Sequence, residues 1–229
     1  MSSSKILALD CSTQYCSVAL RMGDESIAKD ECAGQRHSEL LLPMIDAVLA
    51  ETGMGLKDLD AIAFGAGPGS FTGLRIACGV AQGLAFSANV AVVPIPTLLA
   101  LAQAMAEARI VAVQDARMGE IYVAAYLRDK KNEWRTIIAP CLCKPDNAPL
   151  LPDGKWAGVG SGFATYGPAL LERFHGCLGS IDSTRYPHAT QIAQLAAGRL
   201  HEAVAAELAL PLYLRDKVAL TERERGVAK

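Results

Sequence analysis

The order of strand-like and helix-like runs constrains this chain more than any other feature. Lys5–Asp10, Cys16–Met22 and Glu25–Ala33 are three runs joined by short polar turns, one of them at Gly23-Asp24. Strands linked this tightly form an antiparallel meander. His37–Thr52 then reads as a helix closed by Gly53, Ala61–Phe64 as a short buried strand, and Gly65–Gly73 as a glycine-rich loop. Gly73–Ala88 reads as a second helix, Val90–Ile95 as a strand and Thr97–Ala108 as a third helix. A meander followed by alternating helices and strands predicts a mixed sheet covered by helices.

From Ile110 the order partly restarts. Ile110–Gln114 and Ile121–Leu127 read as strands around a turn at Arg117-Met118-Gly119, with a third strand at Trp134–Ala139. Trp156–Gly160 is a short strand, Gly162–Phe174 and Thr190–Glu207 are helices, and Pro211 begins an extended end. The expected organisation is therefore α/β in two lobes, residues 1–107 and a reduced 108–229, with the last helix and tail free to pack back on the first lobe. A hairpin-led sheet followed by α/β units is the element order of the actin-like, ribonuclease-H-like lobe.

Composition supports a large core. Of 229 residues 51% are hydrophobic, only 20% charged and 6% aromatic, which excludes disorder for the bulk. A mean hydropathy of +0.22 means that apolar residues exceed what a core of this size requires, so the surplus is hidden in the core, a membrane or a partner. A membrane span needs about 20 mainly apolar residues. The best run, Val90–Ala106, is interrupted by Pro94, Pro96 and Gln103, and a strand followed by a helix explains it better. The N-terminal residues carry no apolar stretch of the signal-peptide kind. The seven cysteines are scattered and contain no C-x-x-C pair, which excludes zinc ribbons and thioredoxin-like motifs and suits a reducing cytoplasm. A net charge of −2 and a pI of about 6.1 are not those of a stand-alone nucleic-acid binder. The densest charge cluster is the tail from Arg215 to Lys229, a solvated tail or a contact to RNA or a partner.

The loop Gly65-Ala-Gly-Pro-Gly-Ser-Phe-Thr-Gly73 lies between a strand and a helix, where backbone N–H groups can bind an anion. It lacks the Gly-Lys-Ser/Thr of a Walker loop, the third glycine of a dinucleotide fingerprint, and the flanking glycines that would make Ser70 a nucleophile elbow. It is either a tight turn that caps the helix or a phosphate or partner contact. Asp10, Ser12 and Thr13 end the first strand; in actin-like ATPases a comparable acid and turn face metal and phosphates, but here Cys11 replaces the usual glycine. Asp10, Ser12, Thr13, Gly67, Gly69 and Ser70 are thus candidates for a vestigial phosphate site, the alternative being turn residues that satisfy their own backbone. Asp115 and Glu120 flank a strand turn and could face each other as an acid/base pair, or be neutralised by Arg117. His37 has Leu41, not a second histidine, one turn on, so no metal site is expected.

The two helices carry the apolar surplus. Leu40, Leu41 and Leu42 together cover about 200° of the first helix, where a core-facing stripe needs about 100°. The second helix has only Arg75, Gln82 and Ser87 as polar side chains, and Gly79 and Gly83 one turn apart would let another backbone come close. Either the second lobe or the C-terminal helix covers it, or a partner does. The expected contact residues are His37, Leu40, Leu41, Met44, Leu74, Cys78 and Ala81.

Four segments in this order resemble one family: Ile6-Leu-Ala-Leu-Asp10, Gly67-Pro-Gly-Ser-Phe-Thr-Gly-Leu-Arg75, Asp115-Ala-Arg-Met-Gly-Glu-Ile-Tyr122 and Pro211-Leu-Tyr-Leu-Arg-Asp-Lys-Val-Ala219. The chain is similar to the bacterial TsaB (YeaZ) family from Lys5 to Ala219. The resemblance implies a two-lobed actin-like (ASKHA) ATPase fold. It also implies a non-catalytic role in making threonylcarbamoyladenosine beside the anticodon of tRNAs that read codons beginning with adenine. In that pathway TsaC makes threonylcarbamoyl-adenylate, TsaD transfers the threonylcarbamoyl group to tRNA, TsaB pairs with TsaD and TsaE joins as an ATPase. The implied pairing surface is a bundle built from the two apolar helices, with homodimers forming when TsaD is absent. The resemblance implies no cofactor for this chain, leaves ATP or ADP at the interface of the complex as an open alternative, and brings tRNA only through the complex. TsaD has two histidines one helical turn apart; His37 followed by Leu41 breaks that site here. The competing expectation is an ATPase or phosphotransferase acting by itself through Asp10 and the Gly65–Gly73 loop.

Overall fold

The computed structural model describes residues 4–215 and consists of two five-stranded mixed sheets built on one plan. The first sheet has the order β3-β2-β1-β4-β5, from β1 (Lys5–Asp10), β2 (Tyr15–Met22), β3 (Glu25–Cys32), β4 (Ala61–Gly67) and β5 (Ala91–Pro96). The second has the order β10-β9-β6-β7-β8, from β6 (Arg109–Arg117), β7 (Glu120–Arg128), β8 (Trp134–Cys143), β9 (Trp156–Val159) and β10 (Leu178–Asp182). In each, a three-strand antiparallel meander is extended by two parallel strands. The second copy is shorter where expected: between β8 and β9 a single 3-10 turn at Pro145–Asn147 stands where the first copy has helix α1 (His37–Thr52).

Five layers result from how side chains alternate across the strands. On the inner face of the first sheet Ala8 pairs with Ala19 and with Ala63, and in the second sheet Ala112 pairs with Ala124. These small residues let α3 (Thr97–Gln103) and α5 (Ala189–Ala197) lie in one core between the sheets. The outer face of the first sheet presents Leu7, Leu9, Val18, Leu20, Ile62 and Phe64 to α1 and α2 (Phe71–Ala88). The outer face of the second, with Val111, Val113 and Val123, is covered by α4 (Ser161–Arg173). The alanine-rich composition thus serves a central helical layer pressed between two sheets.

Two helices end earlier than expected and one strand is new. The third helix ends at Gln103 rather than Ala108, and the last helix ends at Ala197 rather than Glu207, followed by 3-10 turns at Leu200–Glu202 and Ala206–Leu208. An alanine-rich run favours helix locally, but Gly198 ends it and Val204 leaves to bridge Val92 on the edge of the first sheet. Strand β10 was not expected; its Leu-Gly-Ser-Ile-Asp run is mostly exposed and carries no strong periodicity. Among the described residues no helix is long and apolar enough to cross a membrane.

Candidate functional site

The turn after β1 and the loop before α2 meet backbone to backbone. Ser70 N donates to Ser12 O at 2.8 Å, and Ser70 Oγ accepts from Gly73 N as the cap of α2. A Cβ at Gly69 would lie 2.5 Å from Ser12 O, and one at Gly73 only 1.8 Å from Cys11 O. These two glycines are required by close approach of the turn. Gly67, at φ +115, packs its α-carbon against Leu212 O. The Ser70 amide is therefore engaged within the chain rather than offered to an anion.

Asp10 is wholly buried. Its Oδ1 accepts from Ser12 N and Ser12 Oγ, while Oδ2 is buried without a partner against Gly65. Burial pushes its pKa up to about 7, with the Ser12 hydrogen bonds opposing. An acid in this position does not face the cleft as a metal- or phosphate-directed carboxylate would. The arrangement fits the alternative in which these turn residues satisfy their own backbone: Ser12 covers the carboxylate and the loop closes on the turn. Asp115 and Glu120 do not pair either. Asp115 Oδ1 accepts from Arg117 N at 2.8 Å and from Tyr166 O–H at 3.2 Å, whereas Glu120 binds Arg215.

Between the turn ends of the two sheets lies a cleft of about 990 Å³, walled by Ser12 and Thr72 on one side and by Gln114, Asp115 and Thr165 on the other. Its rim includes the extended end that the sequence left free to pack back on the first lobe. This strap, Ala209–Arg215, crosses the flank of α2: Ala209 O accepts from Gln82 Nε2 at 3.0 Å and from the Cys78 thiol, and Leu212 N donates to Ala66 O at 2.7 Å. Arg75 Nε donates to Tyr213 O–H at 3.1 Å, and the Arg75 guanidinium lies 3.8 Å over the Phe71 ring. Arg215 then reaches Glu120 and Arg117 O on the β6–β7 turn, tying the first sheet's loop to the second sheet. Its sequence signal was the apolar run Ala209-Leu-Pro-Leu-Tyr-Leu. Residues 216–229, including the rest of the charged tail, lie outside the described residues.

The helices place the expected contact residues differently from the expectation. Of the seven, His37, Leu41, Leu74, Cys78 and Ala81 are buried in the chain's own core, and only Leu40 and Met44 remain half-exposed. His37 is held there because its Nε2 donates to Thr13 O at 2.9 Å. The correction has a simple cause: on a helix apolar nearly all round, hydropathy does not say which side meets the sheet. The side of α2 facing away from the core carries Thr72, Ile76, Gly79, Gly83 and Phe86. A Cβ at Gly79 or Gly83 would meet nothing within 4 Å, and Phe86 is 80% exposed. Neither the second sheet nor α5 covers this side, since α5 lies on the opposite face of the first sheet. The strap touches α2 along the flank of Cys78 and Gln82 and at Phe71 and Arg75 in its first turns.

Comparison with known proteins matches residues 29–222 to the family model described as TsaD, tRNA N6-adenosine threonylcarbamoyltransferase. A Haemophilus influenzae protein named tRNA threonylcarbamoyladenosine biosynthesis protein TsaB is 40% identical over 93% of this chain and 94% of its own length. Its Escherichia coli namesake is 36% identical over 94% of this chain and 96% of its own. The solved structure of YeaZ from Pseudomonas aeruginosa superposes with a TM-score of 0.83 at 38% identity, covering 92% of this chain and all of that one.

Proposed function

The chain belongs to the bacterial TsaB (YeaZ) family, with the actin-like fold of the wider TsaD family, and on that premise we propose that it is the non-catalytic partner subunit of a TsaD transferase in tRNA threonylcarbamoyladenosine biosynthesis. The observation that carries this reading is the outer side of α2, which no described residue covers and where Gly79 and Gly83 lie beside half-exposed Leu40 and Met44 of α1. Two glycines on an exposed helix side weaken the helix and serve only the close approach of another backbone. A helix of TsaD packed on this groove gives them that role. The buried Asp10 and the closed loop favour this reading over an ATPase acting by itself.

In this reading TsaE and tRNA join through the complex, a second copy of the chain takes the groove when TsaD is absent, and the setting is the cytoplasm. The chain requires no cofactor of its own; nucleotide belongs to the partner subunits or to the shared interface. The test is reconstitution of tRNA threonylcarbamoylation from TsaC, TsaD and TsaE with and without this chain, alongside size-exclusion of the chain with TsaD. Full activity without the chain, or no co-elution with TsaD, would overturn the proposal.

A further inference from the structure

The antiparallel register of β1 and β2 pairs Asp10 with Ser17, and one step further along the hairpin Cys11 stands opposite Cys16. Both side chains are fully buried, and their Sγ atoms lie 3.8 Å apart, one S–H donating to the other sulfur. Between them runs the turn Ser12–Tyr15, whose residues Ser12, Thr13 and Gln14 line the cleft. Three neighbouring segments are anchored on this turn: Ser12 O holds Ser70 N, Thr13 O holds His37, and Gln14 O accepts from Ala33 N and Gly34 N. We propose that Cys11 and Cys16 are a reversible dithiol–disulfide pair, a modification site that braces the turn on which α1 and α2 are seated.

The oxidant is hydrogen peroxide, small enough to reach the turn from the cleft. Cys16 is the attacking sulfur, because the Cys11 S–H bond to it holds its thiol below the usual range and pushes that of Cys11 up. Its thiolate takes the distal peroxide oxygen, the O–O bond breaks, and the leaving oxygen departs as water after taking a proton, giving a sulfenic acid. The Cys11 sulfur then attacks the Cys16 sulfur, forming the S–S bond and releasing the sulfenic oxygen as a second water. The two thiols lose two electrons and two protons, and the peroxide is reduced to two waters. The sulfurs must close from 3.8 Å to about 2.05 Å across a hairpin, which draws the two strand ends together. A bridge that closes so short a loop against such a geometry is readily reduced, as suits a reversible site in a reducing compartment.

The test uses a chain carrying Cys32→Ser, Cys141→Ser, Cys143→Ser and Cys177→Ser, which leaves Cys11, Cys16 and Cys78 as its thiols. The folded protein is exposed to hydrogen peroxide, denatured, alkylated and mapped by mass spectrometry. The expected result is loss of two hydrogens, a peptide linked Cys11 to Cys16, alkylation of Cys78 alone, and full reversal by dithiothreitol. Adding Cys16→Ser abolishes the link. Three alkylated thiols after a dose that fully oxidises exposed Cys32 in the unmodified chain would overturn the proposal, as would a link through Cys78 or a sulfinic acid without a link. If the four-serine chain does not fold, the oxidised unmodified protein is mapped in the same way: a Cys11–Cys16 linked peptide supports the pair, and its absence overturns it.

Discussion

Replacing both Gly79 and Gly83 by alanine separates what this chain needs from what its partner needs. In a helix interior each glycine is about 1 kcal/mol worse than alanine. A Cβ at either position meets no atom of the described residues within 4 Å, so none of them opposes the gain. The double variant therefore stabilises the isolated chain by about 2 kcal/mol, which for a chain of this length raises Tm by about 4–8 °C. At the proposed interface the same two methyl groups stand where a partner helix approaches. Overpacking there costs about 1–3 kcal/mol per site, so affinity for TsaD falls at least about tenfold. The assays are calorimetric melting of the chain alone and titration against TsaD. A rise in Tm with unchanged affinity would refute the close-approach reasoning, and a fall in Tm would show that the side is covered within the chain itself.

Single contacts carry further expected outcomes. Because the folded pKa of Asp10 lies near 7 against an ordinary 3.8, its protonated form is favoured by folding; that stability is full below pH 3.8 and is lost as pH rises to 7, by roughly 4 kcal/mol at most. Urea melts from pH 4 to 8 read this slope, and Asp10→Asn abolishes it; a flat wild-type profile would refute the assignment. Arg215→Ala removes a partly buried ion pair with Glu120 and the contact to Arg117 O, costing about 1–2 kcal/mol and exposing the strap to protease; unchanged cleavage within residues 208–215 would sink this. Gly73→Ala drives a methyl to within 1.8 Å of Cys11 O, and because the obstacle is backbone it destabilises by about 3 kcal/mol or more in denaturant melts; a wild-type midpoint would show that the turn and loop separate freely.

The layer order was legible because alternation and glycine punctuation repeat at a scale that local rules can read: the meander, α2 and its Ser70 cap, and the reduced second copy all stand in the sequence. What escaped was orientation. Leu41 and Leu42 are equivalent in hydropathy, yet Leu41 is buried and Leu42 is 49% exposed, a choice made by the sheet's outward row of Leu7, Leu9 and Phe64. The Gly65–Gly73 loop stayed open between a capping turn and a phosphate or partner contact because glycine permits either a bound ligand or another backbone. Only the position of the Cys11 and Ser12 carbonyls decides between them. That the tail packs back on the first lobe was legible, but its contacts were not, because a short extended run has no period to detect and its partners Ala66, Gln82 and Glu120 are all distant in sequence.

The strap also sets a clock. Gln82 and Cys78 are given their acceptor by Ala209, which for Cys78 comes 131 residues later in the chain. At about 5–20 residues per second, a ribosome delivers that acceptor roughly 7–26 s after Cys78 has been made. For that interval the Cys78 and Gln82 flank of α2 is bare. A chain that stops short of Ala209 would carry the sheets and the long helices and still leave the Cys78 thiol and the Gln82 amide without the acceptor that the folded chain gives them.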